Sequence, residues 1–321
     1  MDIEQLRARR EERRRSVRRR RRVAVGLLVA VGAIIAALVV LVSGSGGSSA
    51  GNGAARVRSA RAAAGSRSAS PAAIASSRRT GPPGTDPVPI LMYHVIAAPP
   101  AGAAFPGLYV EPTEFAEQMQ ALERAGWHAV TLDQVEEYWR RGVALPAGRP
   151  IVISFDNGYN SQYTQALPVL RKLGWVGDEN LQLRGLPPSQ GGLGKAQIRG
   201  LLAAGWELDT QGISHADLIT LDAEALRYQV AVARRTLQQR YHVPVDWFCY
   251  PSGHYDPTVV AAVKAAGFVG STTVVPGWAH PSDDPYRLHR LRVLGGTSAQ
   301  ALLSLLHDTR DAAPSPSSYR A

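Results

Sequence analysis

The chain has 321 residues, a formal net charge of +10 and a single cysteine, Cys249. One cysteine excludes an intrachain disulfide, and the length suits one large domain with extensions. The charge is uneven: residues 1–22 hold eleven Arg against four acids, residues 43–85 hold six Arg and no acid, and residues 86–321 are left at −3. The basicity therefore belongs to the N-terminal region, and no nucleic-acid partner is expected for the folded part.

Residues 1–22 form an Arg-rich tail. Residues 23–42 follow without a charge or a strong polar group, and as a helix they measure roughly 30 Å, the thickness of a bilayer core. The run is long for the h-region of a cleaved signal peptide, although the small residues at 43–50 leave cleavage open. With Arg18 to Arg22 against its N-terminal end, the positive-inside rule places the tail in the cytoplasm and the rest outside. The expectation is a single-pass cell-membrane protein with an extracytoplasmic C-terminal domain. Residues 43–85 are rich in Gly, Ser, Ala and Arg and predict a disordered tether.

From residue 86 to 310 strand and helix patterns alternate. Strands are expected at 90–96, 129–132, 151–155, 180–183, 206–209, 245–250, 269–275 and 288–293. Helices are expected at 111–125, where Phe115, Met119 and Leu122 share one face, and at 133–141, 161–173, 193–204, 221–241, 256–266 and 298–307. Gly174, Gly205 and Gly267 close three of them. Such alternation predicts an α/β fold with a parallel sheet, and seven or eight units fit a closed barrel better than an open sheet. Residues 311–321 predict a disordered polar tail. Cys249 lies between Phe248 and Tyr250 and reads as a small buried apolar residue.

The chemistry is concentrated at strand ends. Pro150-Ile-Val-Ile-Ser-Phe-Asp156 runs straight into Asn157-Gly158, so a buried strand delivers a carboxylate to its C-terminal end, where α/β folds place their sites. Three other segments share the design: Pro87-Val-Pro-Ile-Leu-Met-Tyr-His94, Glu207-Leu-Asp-Thr-Gln-Gly-Ile-Ser-His215, and Trp247-Phe-Cys-Tyr-Pro-Ser-Gly-His-Tyr-Asp256.

In order and spacing these segments resemble the NodB-like polysaccharide deacetylases (carbohydrate esterase family 4). The resemblance implies a distorted (β/α) barrel of about seven strands. It also implies hydrolysis of the C–N amide bond of an N-acetylated cell-wall or surface glycan, with a divalent metal, commonly zinc, as cofactor. On this chain Asp156 takes the place of the family's general base. The metal positions fall on Asn157, Gln211 and His215, and the turn Tyr250-Pro251-Ser252-Gly253 takes the oxyanion and groove-lining place. Two metal positions thus carry neutral amides where a carboxylate and an imidazole belong, so a degenerate site is expected. His94, Asp209 or Asp156 itself are the candidates to replace the missing ligands. His289 and His307 compete for the family's late acid, His254 reads as a turn residue, and Trp278 is a candidate floor for a sugar groove. A glycan-binding protein without catalysis is the alternative on the same fold.

Overall fold

The computed structural model describes residues 81–186, 191–311 and 313–320. The predicted membrane span at 23–42, the Arg-rich tail and most of the predicted tether lie outside them. Among the described residues no helix is long and apolar enough to cross a membrane.

The sheet grows from the central strand β5 (Arg149–Asn157), in which Ile151, Val152, Ile153 and Phe155 are fully buried. A strand apolar on both faces needs cover on both, as parallel sheets require. Around it run β1 (Ile90–Tyr93), β6 (Asp178–Leu181), β7 (Glu207–Thr210), β8 (Trp247–Cys249), β9 (Gly270–Thr272) and β10 (Leu291–Arg292). Their order is β10-β1-β5-β6-β7-β8-β9, parallel throughout. A further strand, β4 (Trp127–Ala129), pairs with the first half of β5, and β1 pairs with the second half. The parallel ribbon of β2 (Val95–Ile96) with β3 (Tyr109–Val110) was not expected from sequence.

Closure depends on residues 288–292. Leu288 donates its N–H to the Ser271 carbonyl (3.0 Å) and accepts from Thr273 N–H (2.9 Å). Three residues on, Leu291 is in register with Leu91 of β1. One short segment thus joins the two ends of the sheet, which gives the expected distorted barrel of about seven strands.

The helices are α1 (Pro112–Arg124), α2 (Leu132–Arg141), α3 (Leu167–Lys172), α4 (Lys195–Ala203), α5 (Ala223–Arg227), α6 (Ala233–Tyr241), α7 (Pro257–Ala265) and α8 (Ala299–Asp308). α2 opens on a capping box: Thr131 Oγ1 accepts from Gln134 N–H, and Gln134 Oε1 accepts from Thr131 N–H. It stops at Gly142, which is left-handed (φ 61°); both devices satisfy helix-end groups that have no partner of their own. The long helix expected at 221–241 is interrupted by a π turn at Tyr228–Val232, and a second π turn, Gln162–Ala166, precedes α3. Periodicity cannot register a π turn, because the insertion shifts the pattern by one residue only. Phe155 stacks on Trp206 (4.9 Å) and lies 5.8 Å from Tyr93, which ties β5 to both flanks of the core.

Both predicted ends of the domain need correction. Residues 81–85, read as tether, pair with the end of α2: Gly81 N–H donates to Gly142 O (3.1 Å) and Gly84 N–H to Tyr138 O (2.9 Å). In the tail, Tyr319 exchanges two backbone hydrogen bonds with Tyr255, and the Tyr255 hydroxyl donates to Pro316 O (2.8 Å). Composition reports only the absence of large apolar residues; backbone pairing to a distant element needs none.

The interior of the sheet also carries acids. Asp178 Oδ2 accepts from Leu132 N–H, Glu207 Oε2 from Asp133 N–H, and Asp209 Oδ1 from Trp247 N–H, each at 2.9 Å. One further oxygen of each has no partner. Burial first, and neighbouring carboxylates next, push Asp178 and Glu207 well above the ordinary carboxyl range; burial dominates for Asp209 as well, and Asp133 is raised to about 6.

Groups raised in the folded state stabilise fully below their unfolded pKa, and that stability is lost as pH rises through the folded value. The Asp133 contribution is therefore lost between about pH 4 and 6: the Tm advantage of the unaltered chain over Asp133→Asn should be largest at the acid end and shrink as pH rises to about 6, while Asp178, Glu207 and Asp209 make stability fall further at higher pH. Thermal unfolding followed by circular dichroism from pH 4.5 to 8.5 checks this; a flat profile contradicts it.

Candidate functional site

β5 ends by a backbone device. Asn157 adopts φ 79° and Gly158 φ 90°, a left-handed pair that Asn and Gly tolerate best. A Cβ on Gly158 would lie 2.3 Å from Leu181 Cδ1. The strand therefore stops where Asp156 points inward, 1% exposed.

Asp156 is held by Arg290, whose side chain is completely buried. Two guanidinium nitrogens meet the two carboxylate oxygens at 2.7 and 2.9 Å. The remaining donors reach Thr273 O (2.8 Å), Ser154 Oγ (3.2 Å) and Cys249 Sγ (3.1 Å). Asn180 Nδ2 donates to Asp156 Oδ1 at 3.0 Å. Burial by itself would raise the Asp156 carboxyl, but the Arg290 charge and its hydrogen bonds outweigh burial and hold it at about 2. The same pairing overcomes the desolvation of Arg290 and raises its pKa.

Two histidines feel the charge of this pair. His94 follows β1, and its Nε2 lies 3.9 Å from Asp156 Oδ2 while Nδ1 has no partner. Burial pulls its imidazole down to about 4, further than Asp156 can lift it. His215, left-handed at φ 51°, is also lowered, first by burial and against the opposing field of Asp156. Both rings are therefore neutral near pH 7. Gln162, from the π turn before α3, donates to His94 O (2.9 Å) and Asp156 O (2.8 Å), which fixes the ends of β1 and β5 together.

The amides at the expected metal positions are engaged elsewhere. Asn157 Nδ2 donates to Gln182 Oε1 at 3.1 Å, and Gln211 Nε2 points to Cys249 Sγ at 3.5 Å, leaving Gln211 Oε1 without a partner. His215 is the one imidazole of the set. Among the described residues no group of three His, Cys, Asp or Glu side chains could hold a metal ion. Zinc wants thiolate, imidazole and carboxylate donors, and two neutral amides with one histidine do not fit it. Asp156 is taken by Arg290, and burial favours the neutral form of Asp209, so neither is a ready replacement for a missing ligand.

Other expectations are redistributed. Trp278 floors no groove: it is buried, its Nε1 donates to Leu306 O (3.1 Å), and it meets Trp127 edge-on. Tyr250 is turned into the core, stacked on Tyr255 at 4.9 Å with its hydroxyl on Tyr286 O. Pro251 and Gly253 are buried, and a Cβ on Gly253 would strike Val274. Ser252 is exposed and left-handed (φ 55°). Within this turn Gly253 N–H donates to Tyr250 O and His254 N–H to Pro251 O. His289 is pinned between Asp283 and Ala313 O, and His307 is exposed on α8 beside Asp308, so neither joins the site. His254 pairs with Asp217 at 3.1 Å. Sequence reasoning missed Arg290, Asn180, Gln162 and Gln182. Arg290 sits in the run Arg287-Leu-His-Arg290-Leu-Arg292, where nothing in the sequence separates it from Arg287 and Arg292.

Breaking the pair leaves one buried charge unbalanced, which costs about 3–5 kcal/mol. Arg290→Met should destabilise the fold by that order, and Arg290→Met with Asp156→Asn should recover most of the loss. Urea denaturation of the two variants measures the difference. A loss below about 1 kcal/mol in the single variant would mean that water reaches the carboxylate.

Residues 146–271 match the polysaccharide deacetylase family profile. Over 214 residues the chain is 26% identical to YxkH of Bacillus subtilis, a protein described as a candidate polysaccharide deacetylase, covering 67% of this chain and 74% of that one. A shorter match, 35% over 66 residues, joins it to the poly-β-1,6-N-acetyl-D-glucosamine N-deacetylase of Escherichia coli, covering 21% of this chain and 10% of that protein. The fold is shared with the Streptococcus pyogenes deacetylase PplD, solved with acetate (TM-score 0.64, 24% identity, 70% of this chain and 99% of that one). It is shared also with BA0330 of Bacillus anthracis (TM-score 0.61, 24% identity, 69% of each chain). Profile, relatives and barrel agree with the strand-end segments: residues 146–271 are a polysaccharide deacetylase (NodB-like) domain, divergent in sequence.

Proposed function

We propose that the chain is a membrane-anchored, extracytoplasmic polysaccharide deacetylase-like hydrolase that takes an N-acetylated cell-wall or surface glycan, with amide hydrolysis impaired by its degenerate metal site. The observation that carries this reading is the ionised Asp156 at the C-terminal end of β5, facing His94 and His215 on a deacetylase barrel. The name of the E. coli relative supports an N-acetylglucosamine polymer as the substrate class.

The residues divide the work by their electrostatics. Asp156 keeps its charge through Arg290, and at a pKa of about 2 it is a weak base. It serves first to orient and polarise a water or an amide N–H. His215 and His94, neutral near pH 7, can each accept or donate one hydrogen bond at the same place. In the turn after β8, the Ser252 N–H is the donor not used internally, and it is the group aimed at a developing oxyanion. A resident divalent ion would polarise the acetamide carbonyl and activate water; Asn157, Gln211 and His215 hold one poorly, so no step is assigned to it.

The second reading, glycan binding without turnover, is favoured by Asn157 and Gln211 themselves. The two separate on one comparison. Purified full-length chain should carry far less than one zinc, and Asn157→Asp with Gln211→His should bring the content close to one by elemental analysis. Changes around a metal commonly alter affinity by about 10–100-fold, and restored ligands should do at least that. If Asp156 is the base, the double variant gains turnover on an N-acetylglucosamine oligomer, and Asp156→Asn removes the gain. Stoichiometric zinc with turnover in the unaltered chain would overturn the impairment.

The anchor rests on residues 23–42 behind their Arg block. The full-length chain should sediment with membranes, and protease added to intact cells should remove residues 86–321. Protection of that domain would reverse the topology.

A further inference from the structure

A cavity of about 230 Å³ opens beside the mouth, walled in part by Gly158, Gln182, Arg184, Lys195, Arg240 and Tyr241. It adjoins the site through one side chain: Gln182 Oε1 accepts from Asn157 Nδ2, and Gln182 Nε2 donates to Arg184 O. Its volume is below the ~300–1,000 Å³ of a drug-sized pocket, so it suits one sugar unit or a charged substituent rather than a chain.

The lining carries three cations. Arg184, Lys195 and Arg240 take part in no ion pair among the described residues, and no Asp or Glu is among the described lining residues. Lys195 is the first residue of the nine-residue α4, whose N-terminal end favours anions. A separate observation points to a ligand. Tyr241 is 8% exposed, and its buried hydroxyl has no hydrogen-bond partner. A buried donor left unmade is costly, and an oxyanion in the cavity would accept from it.

We propose that this cavity is a subsite for an anionic group, a carboxylate or phosphate, carried by the glycan. The glycan as carrier rests on the function proposed above, while the anion site rests on the cavity alone. Two polymers share the chemistry: a glycan with uronic acid units and one with phosphodiester links. The neighbouring mouth would receive the N-acetylated sugar next to the charged one.

The test uses the full-length chain in detergent micelles and calorimetric titration with three probes: a neutral N-acetylglucosamine oligomer, one alternating with glucuronate, and a glycerol phosphate oligomer bearing N-acetylglucosamine. At least one charged probe should bind about tenfold more tightly than the neutral one at low salt, with the gap closing as salt rises. Exposed charge pairs contribute about 1.5- to 5-fold each. The triple variant Arg184→Gln, Lys195→Gln, Arg240→Gln should therefore erase the gap and leave neutral binding unchanged. Tyr241→Phe should weaken the charged probe alone. The stronger of the two charged probes identifies the anion. Equal affinities, or a triple variant that weakens all probes alike, overturn the subsite. If no oligomer binds, the glycan reading fails; glucuronate and inorganic phosphate are then titrated alone. Binding that disappears in the triple variant sustains the anion site, and no binding overturns it.

Discussion

A guanidinium and a carboxylate, both out of reach of water, set the terms for this molecule. Arg290 and Asp156 sit in a barrel interior where an unpaired charge would be very costly. Their bidentate geometry and the hydrogen bonds from Asn180, and to Ser154 and Thr273, supply what hydration would have. The same contact closes the barrel. Arg290 belongs to the short segment that bonds to the β9 side at Leu288 and to β1 at Leu291, so the ion pair fixes both the charge state of the candidate site and the ring of strands around it.

A second set of interior carboxyls answers burial in the opposite way. No cation is among the groups that shift Asp178, Glu207 and Asp209, and burial moves all three toward the protonated form. Asp156 is ionised because Arg290 faces it. The difference is local: the same residue type serves as a fixed anion where a guanidinium faces it, and as a neutral hydrogen-bonding group where only backbone N–H groups do.

Asn157 and Gln211 stand where the family resemblance expects a carboxylate and an imidazole. Asn157, His215 and Ser252 all occupy left-handed conformations at the ends of strands or in the turns after them, conformations a bland scaffold has little reason to hold. Yet the side chains at the expected metal positions, Asn157, Gln211 and His215, are two amides and one neutral imidazole. Such side chains can hydrogen-bond a sugar, and they offer a dication only neutral donors, since the Asp156 charge is paired with Arg290. Glycan recognition can survive such a change more readily than metal chemistry, because sugar binding uses neutral donors and acceptors.

The sequence by itself determined the alternation of strands and helices, the placement of Asp156 at a strand end with His94 and His215 in the segments after strands, and the neutral amides Asn157 and Gln211 where the family resemblance expects metal ligands. Each is a local property: periodicity, a turn signal, or the identity of a residue in a motif. Trp278 and Tyr250 show the limit of that logic, since an aromatic side chain packs into a core or lines a groove according to what the fold brings against it. Arg290 shows it most clearly. It lies 134 residues from Asp156 in the chain, and its neighbours Arg287 and Arg292 have the same chemistry. Only barrel closure turned one of the three inward, because a charge becomes structural where the fold removes water and supplies its partner, and neither event is written in the residues beside it.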